Sequence, residues 1–195
     1  MTGTRTYTKR TRATTEQATR SALLDAAETT FFERDWDRTP LEAIAAQAGV
    51  TKQTLLRHFG SKDGLLEAAY RRGFERVRAQ RFGVPAGDVE AAIDVLVDHY
   101  EELGPRALRL GAHTGGPGAA FAEAARALHR DWVRHAFGDR LAGVPAPEHD
   151  RVLAALVVVC DVHAWSILAR DLGLPGPEVR ATLITTVRRL LGEDA

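Results

Sequence analysis

Four side chains within six residues, Lys52, Gln53, Thr54 and Arg57, are of the donor-rich kinds that hydrogen-bond base edges in the major groove. They fall in the segment Leu41 to Gly60, LEAIAAQAGVTKQTLLRHFG. Ala45 supplies a small residue where two steeply crossing helices touch, and Gly49 follows four residues later in the turn between them. Val50 and Leu55 are spaced to lock the second helix onto the first, which leaves the four polar residues on an exposed face. The fragment A-x-x-x-G-V alone would equally suit an ordinary helical hairpin. A start signal, a turn glycine, a capped second helix and a basic exposed face occurring together point to a helix-turn-helix that reads DNA.

The elements that must position this face follow from periodicity and punctuation. Residues 1–14 carry Arg5, Lys9, Arg10 and Arg12 without apolar periodicity, and are expected to form a basic disordered arm. Such an arm could enter the minor groove or stay solvated. A helical pattern runs from about Glu16 to Arg34, with Leu24, Ala27 and Phe31 on one face. Thr39, Pro40 and Glu42 form a capping-box start for the next helix, which Gly49 ends. Thr51 caps a third helix to about Phe59, and Ser61 caps a fourth. Further patterns near 87–103, 105–112, 118–141, 148–172 and 177–191 complete an all-α chain with no alternating strand signal. The expected organisation is an arm over 1–14, a DNA-binding domain over 15–72 and a ligand-sensing, dimerising domain over 73–195.

The runs LLDAAETTFF and TPLEAIAAQAGVTKQTLLRHFGSKDGLLEAA, within residues 19 to 72, resemble the DNA-binding domain of the tetracycline-repressor (TetR) family. Phe59 followed by Ser61-Lys62-Asp63-Gly64-Leu65 matches that pattern closely. The stretch DVHAWSILARDLGLPGPEVRATLITTVRRLL resembles, more loosely, the last two helices of such regulators. The resemblance implies a three-helix DNA-binding domain joined to a C-terminal helical domain, in a homodimer that reads a palindromic operator on double-stranded DNA. It implies that Lys52, Gln53 and Thr54 read bases. Thr51, His58 and Lys62 would touch phosphates, and Thr39 would present the N-terminus of the second helix to another. Leu56 stands where the family usually has a backbone-contacting Tyr, which implies one phosphate contact fewer. Trp36 stands where the family often has Gly.

The body is expected to sense a ligand and to dimerise. Tyr100, Arg109, His113, Trp132, His163 and Trp165 recur among apolar faces, and they suit a pocket for an apolar or aromatic small molecule. Each of these could equally be an ordinary core residue. The helix expected from about His149 to Leu172 is apolar nearly all round, which calls for burial against a second subunit. Leu156 and Val159 on it, with Leu183 and Val187 on the next helix, are the candidate dimer contacts. HTGGPG at 113–118 lacks the spacing of a phosphate loop and reads as a connection.

Composition bounds the class. The formal net charge is zero. Residues up to 82 hold 15 Lys and Arg against 10 Asp and Glu, however, and the remainder 11 against 16, so a basic N-terminal part precedes an acidic body. The chain has one cysteine and no apolar run long enough to span a membrane, so a cytoplasmic, nucleoid-associated protein with no membrane partner is expected. Cys160 and His163 lie one helical turn apart. Zinc wants four ligands with paired short spacings, and Cys160 follows the apolar run LVVV, so no metal, cofactor or enzymatic activity is expected. The reading is a ligand-responsive regulator, a repressor released by an inducer. The alternative is a helical enzyme or ligand-binding protein whose helix-turn-helix is vestigial or contacts protein. A strong preference for Arg over Lys suits a GC-rich bacterial genome.

Overall fold

The computed structural model describes residues 4–33, 36, 38–111 and 116–193, and all regular structure among them is helical. Contacts divide the chain into two compact units, Met1–Gly73 and Phe74–Ala195. The first unit holds α1 (Thr4–Glu33), α2 (Leu41–Gln47), α3 (Lys52–Phe59) and the start of α4 (Lys62–Arg81). The second holds the end of α4, then α5 (Val89–Gly111), α6 (Gly116–Phe137), α7 (His149–Val159), α8 (Val162–Ser166) and α9 (Gly176–Leu190). Short 3-10 turns lie at Gly138–Gly143 and Ala146–Glu148.

In the first unit Leu23, Ala27, Ile44, Leu55 and Leu65 are at most 1% exposed and form the core. Arg72 of α4 holds α1 through Asp25 and Glu28, both at 2.7 Å. Burial opposes its charge, but the two carboxylates keep the guanidinium pKa above its ordinary value. Two details differ from the sequence reading. The stretch expected to be a disordered arm is helical from Thr4 onward, continuous with α1, as its Arg, Lys and Ala content permits. The second helix is capped by Pro40 rather than Thr39: the Ala43 and Ile44 N–H groups donate to the Pro40 carbonyl at 3.1 and 3.4 Å, and proline has no capping side chain. Glu42 turns to Lys52 instead of closing a capping box.

In the second unit α5 packs on α6, α8 and α9, while α7 packs on α6 and α9. Arg180 of α9 ties to α5 through Asp98, Glu101 and Asp94. The break expected at Gly104-Pro105 does not occur, and α5 runs through both residues. Gly104 lies against the ring of Trp165, where a Cβ would come within 2.4 Å of Cζ3.

The long apolar helix expected over 148–172 is broken. After Val159 the chain turns at Cys160 and Asp161, α8 restarts, and a π-helical turn continues over Ile167–Asp171. The two halves meet at 45°. Asp161 caps the second half by accepting from the His163 N–H at 2.9 Å. Carbonyls at the bend are satisfied by side chains: Tyr100 Oη donates to Cys160 O at 3.0 Å, and His129 Nε2 meets Val157 O at 2.9 Å.

Candidate nucleic-acid interface

The putting together of α2 and α3 depends on one backbone conformation. Gly49 has φ +69°, which suits glycine, and this turn lets the Val50 N–H reach the Ala45 carbonyl at 2.9 Å. Ala45, 1% exposed, gives α3 its close seat, and Leu55, 0% exposed, fills it. Thr51 caps α3: its Oγ1 accepts from the Thr54 N–H at 3.2 Å and lies 3.1 Å from Thr54 Oγ1. With Leu55 fixed inward, Lys52, Gln53 and Arg57 are exposed, and Thr54 is half-buried beside them.

These residues are brought together as expected, though not all are idle. Lys52 Nζ donates to Glu42 Oε1 at 2.8 Å, joining the N-terminal ends of α3 and α2. That hydrogen bond holds the Glu42 carboxyl below its usual pKa. Lys62 donates to the Trp36 carbonyl and sits 5.1 Å from the centre of its ring. Trp36 is itself buried, 6.0 Å from Phe31, so it packs as core at a position where the family often has Gly. His58 differs most from its expected part: its ring is half-buried, and Nε2 is enclosed without a hydrogen-bond partner. Thr39 is half-buried at the entry to α2. The carboxylate on the reading face is not legible in the sequence, where the spacing of Glu42 from Thr39 suits a cap.

The expected ligand residues separate into two groups. Tyr100, Trp132 and Trp165 are buried together in the second unit, with Tyr100 and Trp165 ring centres 6.0 Å apart. Arg109 is exposed, and the His163 side chain is 72% exposed on Asp161, so neither joins them. His113 lies outside the described residues. Missing from the expected set were Arg81, His99 and His129, all less than 10% exposed beside these rings. A charged residue at the end of a helix carries no sequence signal of burial.

The expected dimer contacts also move. Leu156, Leu183 and Val187 are at most 3% exposed within the chain's own core, and Val159 is half-buried. Val158, Ile167 and Leu172 are the exposed apolar residues of this region, at 68%, 52% and 63%. Cys160 is fully buried, and burial pushes its thiol up to about 12, which leaves no thiolate near neutral pH. Cys160 and His163 therefore do not share a site.

Among known proteins, the family described as bacterial regulatory proteins, tetR family, matches residues 23–69. The HTH-type transcriptional repressor Rv3405c of Mycobacterium tuberculosis is 30% identical over 183 residues, covering 88% of this chain and 88% of its own. Other curated HTH-type regulators match over less: the chain spans 36% of the length of one and 25% of another. A tetR-family regulator from Streptomyces coelicolor has the same fold at a TM-score of 0.67 and 19% identity, covering 89% of this chain and 80% of that one. The structure of AibR with isovaleryl coenzyme A and operator DNA aligns at a TM-score of 0.62 and 19% identity, over 87% and 97% of the two chains.

Proposed function

The chain belongs to the tetR family of bacterial regulatory proteins, and from that premise we propose that it represses transcription by binding a palindromic operator as a homodimer. The observation that carries this reading is the exposed face of α3, where Lys52, Gln53 and Arg57 stand clear while Leu55 anchors the helix behind them. A helix presented in this way lies in the major groove, and its first residues reach base edges. Lys52, Gln53 and Thr54 read bases; Arg57, Thr51, Thr39 and Lys62 serve the backbone. Lys62 acts only after leaving Trp36.

The second unit senses and dimerises. The exposed apolar residues Val158, Ile167 and Leu172 support a subunit contact along the outer side of α7 and the π-helical turn. The buried rings of Tyr100, Trp132 and Trp165 support an apolar or aromatic effector. AibR, crystallised with both an acyl-coenzyme A and operator DNA, is a fold relative in which the two kinds of ligand coexist. An effector that favours a state with the recognition helices wrongly spaced releases the operator, at a coupling of about 1–3 kcal/mol. Such a protein acts at the nucleoid, in the cytoplasm.

The test is fluorescence anisotropy on DNA from upstream of the protein's own gene, against a scrambled duplex. Operator binding at about 10 nM or tighter, with scrambled DNA at least about 1,000-fold weaker, is the expected result. Lys52→Ala and Gln53→Ala should each weaken operator binding by about 1–3 kcal/mol while the fold stays intact. Equal, weak binding to both duplexes, followed by failure of an unbiased operator selection, would refute the reading.

A further inference from the structure

The second unit encloses a positive charge that, among the described residues, pairs with no carboxylate. Arg81, the last residue of α4, is 4% exposed, and its guanidinium carbon lies 5.0 Å from the centre of the Tyr100 ring and 5.3 Å from that of Trp132. Among the described residues no Asp or Glu oxygen comes within 4.0 Å of it, and its Nε is buried without an acceptor. The ring faces, the carbonyl end of α4 and a side-chain hydrogen bond to Tyr100 favour the cation, but they supply no opposite charge and give Nε nothing to donate to. An enclosed, unmatched guanidinium is costly in a folded protein, and such groups are ordinarily paired.

The groups around it are unmatched in the same sense. His99 Nδ1, His129 Nδ1 and Trp165 Nε1 are buried without hydrogen-bond partners, in side chains at most 8% exposed. Asp161 is the carboxylate whose field reaches this cluster, but it is engaged by His163 through N–H at 2.9 Å and Nδ1 at 2.6 Å. These groups sit in an otherwise apolar core that includes Leu96, Val97 and Phe137.

We infer that the effector of this protein carries a carboxylate, which pairs with Arg81 and the buried ring nitrogens beside it while an apolar or aromatic body lies against Tyr100, Trp132 and Trp165. The inference rests on the sensing role proposed above for the second unit, and it replaces a merely apolar effector with an apolar monocarboxylate. A planar guanidinium fork matches the two oxygens of a carboxylate. Burial, reinforced by the charges of Arg81 and Arg76, lowers the His99 pKa to about 3, so that imidazole is neutral and can donate or accept but adds no charge. One cation in an apolar enclosure is balanced by one anionic group.

The test is binding by the full-length protein, without DNA, of benzoate, phenylacetate and octanoate, each beside its primary amide. Calorimetry should find at least one acid bound on the order of tenfold to a hundredfold more tightly than its amide, and Arg81→Gln should abolish that difference. A second variant is independent of the probe chosen. Arg81→Met keeps the stem and removes the unmatched charge, so it should raise the melting temperature of the unliganded protein by about 2–4 °C. The Trp132 Nε1 bond at 3.2 Å goes to the Arg81 main-chain carbonyl and survives the change. Acids and amides binding alike, an unchanged acid preference in Arg81→Gln, or a lower melting temperature in Arg81→Met would each overturn the inference. Acid preference in a protein that reads no operator would remove the repressor and leave this site standing. Operator binding without acid preference would do the reverse.

Discussion

Lowering the pH should destabilise this fold through His99 before any carboxylate titrates. His99 is 6% exposed, and burial first, then the charges of Arg81 and Arg76, takes its pKa from 6.5 to about 3. The unfolded chain protonates this ring near pH 6.5, whereas the fold resists until about pH 3. The unfolded state therefore binds more protons across that window. The contribution is complete above pH 6.5 and is lost progressively as the pH falls. Between pH 7.5 and 5.5 the loss from this one ring is about 1.4 kcal/mol, or about 3–6 °C of melting temperature for a chain of this size. His129, also held down chiefly by burial, adds in the same direction. Thermal unfolding followed by circular dichroism at the two pH values, for the wild type and for His99→Gln, measures the effect. The variant should lose less stability on acidification by about that amount, whatever its stability at pH 7.5. Equal losses in the two proteins would show that His99 is protonated in the fold or already shifted when unfolded, and the reasoning would fail.

Three further substitutions probe the geometry. Gly104→Ala would place a Cβ 2.4 Å from Trp165 Cζ3, so the ring must move; a loss of about 1–3 kcal/mol and altered tryptophan emission are expected. Tyr100→Phe removes the donor to the Cys160 carbonyl at the helix bend and should cost about 1–3 kcal/mol in urea unfolding, whereas no change would mean another donor takes its place. Gly49→Ala forces a side chain to φ +69° and should cost about 1–2 kcal/mol of stability, while Gly138→Ala, where a Cβ meets nothing within 4 Å, serves as its control.

What could be read from the residues was local chemistry. Gly49, the Thr51 cap and the inward Leu55 each impose a conformation on their neighbours, and α3 formed where they put it. What could not be read depended on partners distant in sequence. Gly104, beside Pro105 in α5, packs against Trp165 from far along the chain, and the carbonyls at the bend are satisfied by Tyr100 and His129. Once the helix is bent, its apolar residues divide differently, so Leu156 goes inside and Val158 outside. Periodicity alone treats them as equivalent. Arg81 eluded the sequence for the opposite reason: arginines at helix ends are usually solvated, and only the fold encloses this one.

The contact between Lys52 and Glu42 bears on how wrong sites are refused. In the repressor reading, Lys52 must abandon a carboxylate it already touches before it can reach a base, so every encounter with DNA begins from the same handicap. A matched sequence, offering a well-placed pair of acceptors, overcomes it. Random duplex offers diffuse attraction only, and its phosphates repel Glu42 as well. A residue of the supporting helix that need touch no nucleotide thus takes a small toll on each engagement of Lys52, no larger than an exposed ion pair is worth.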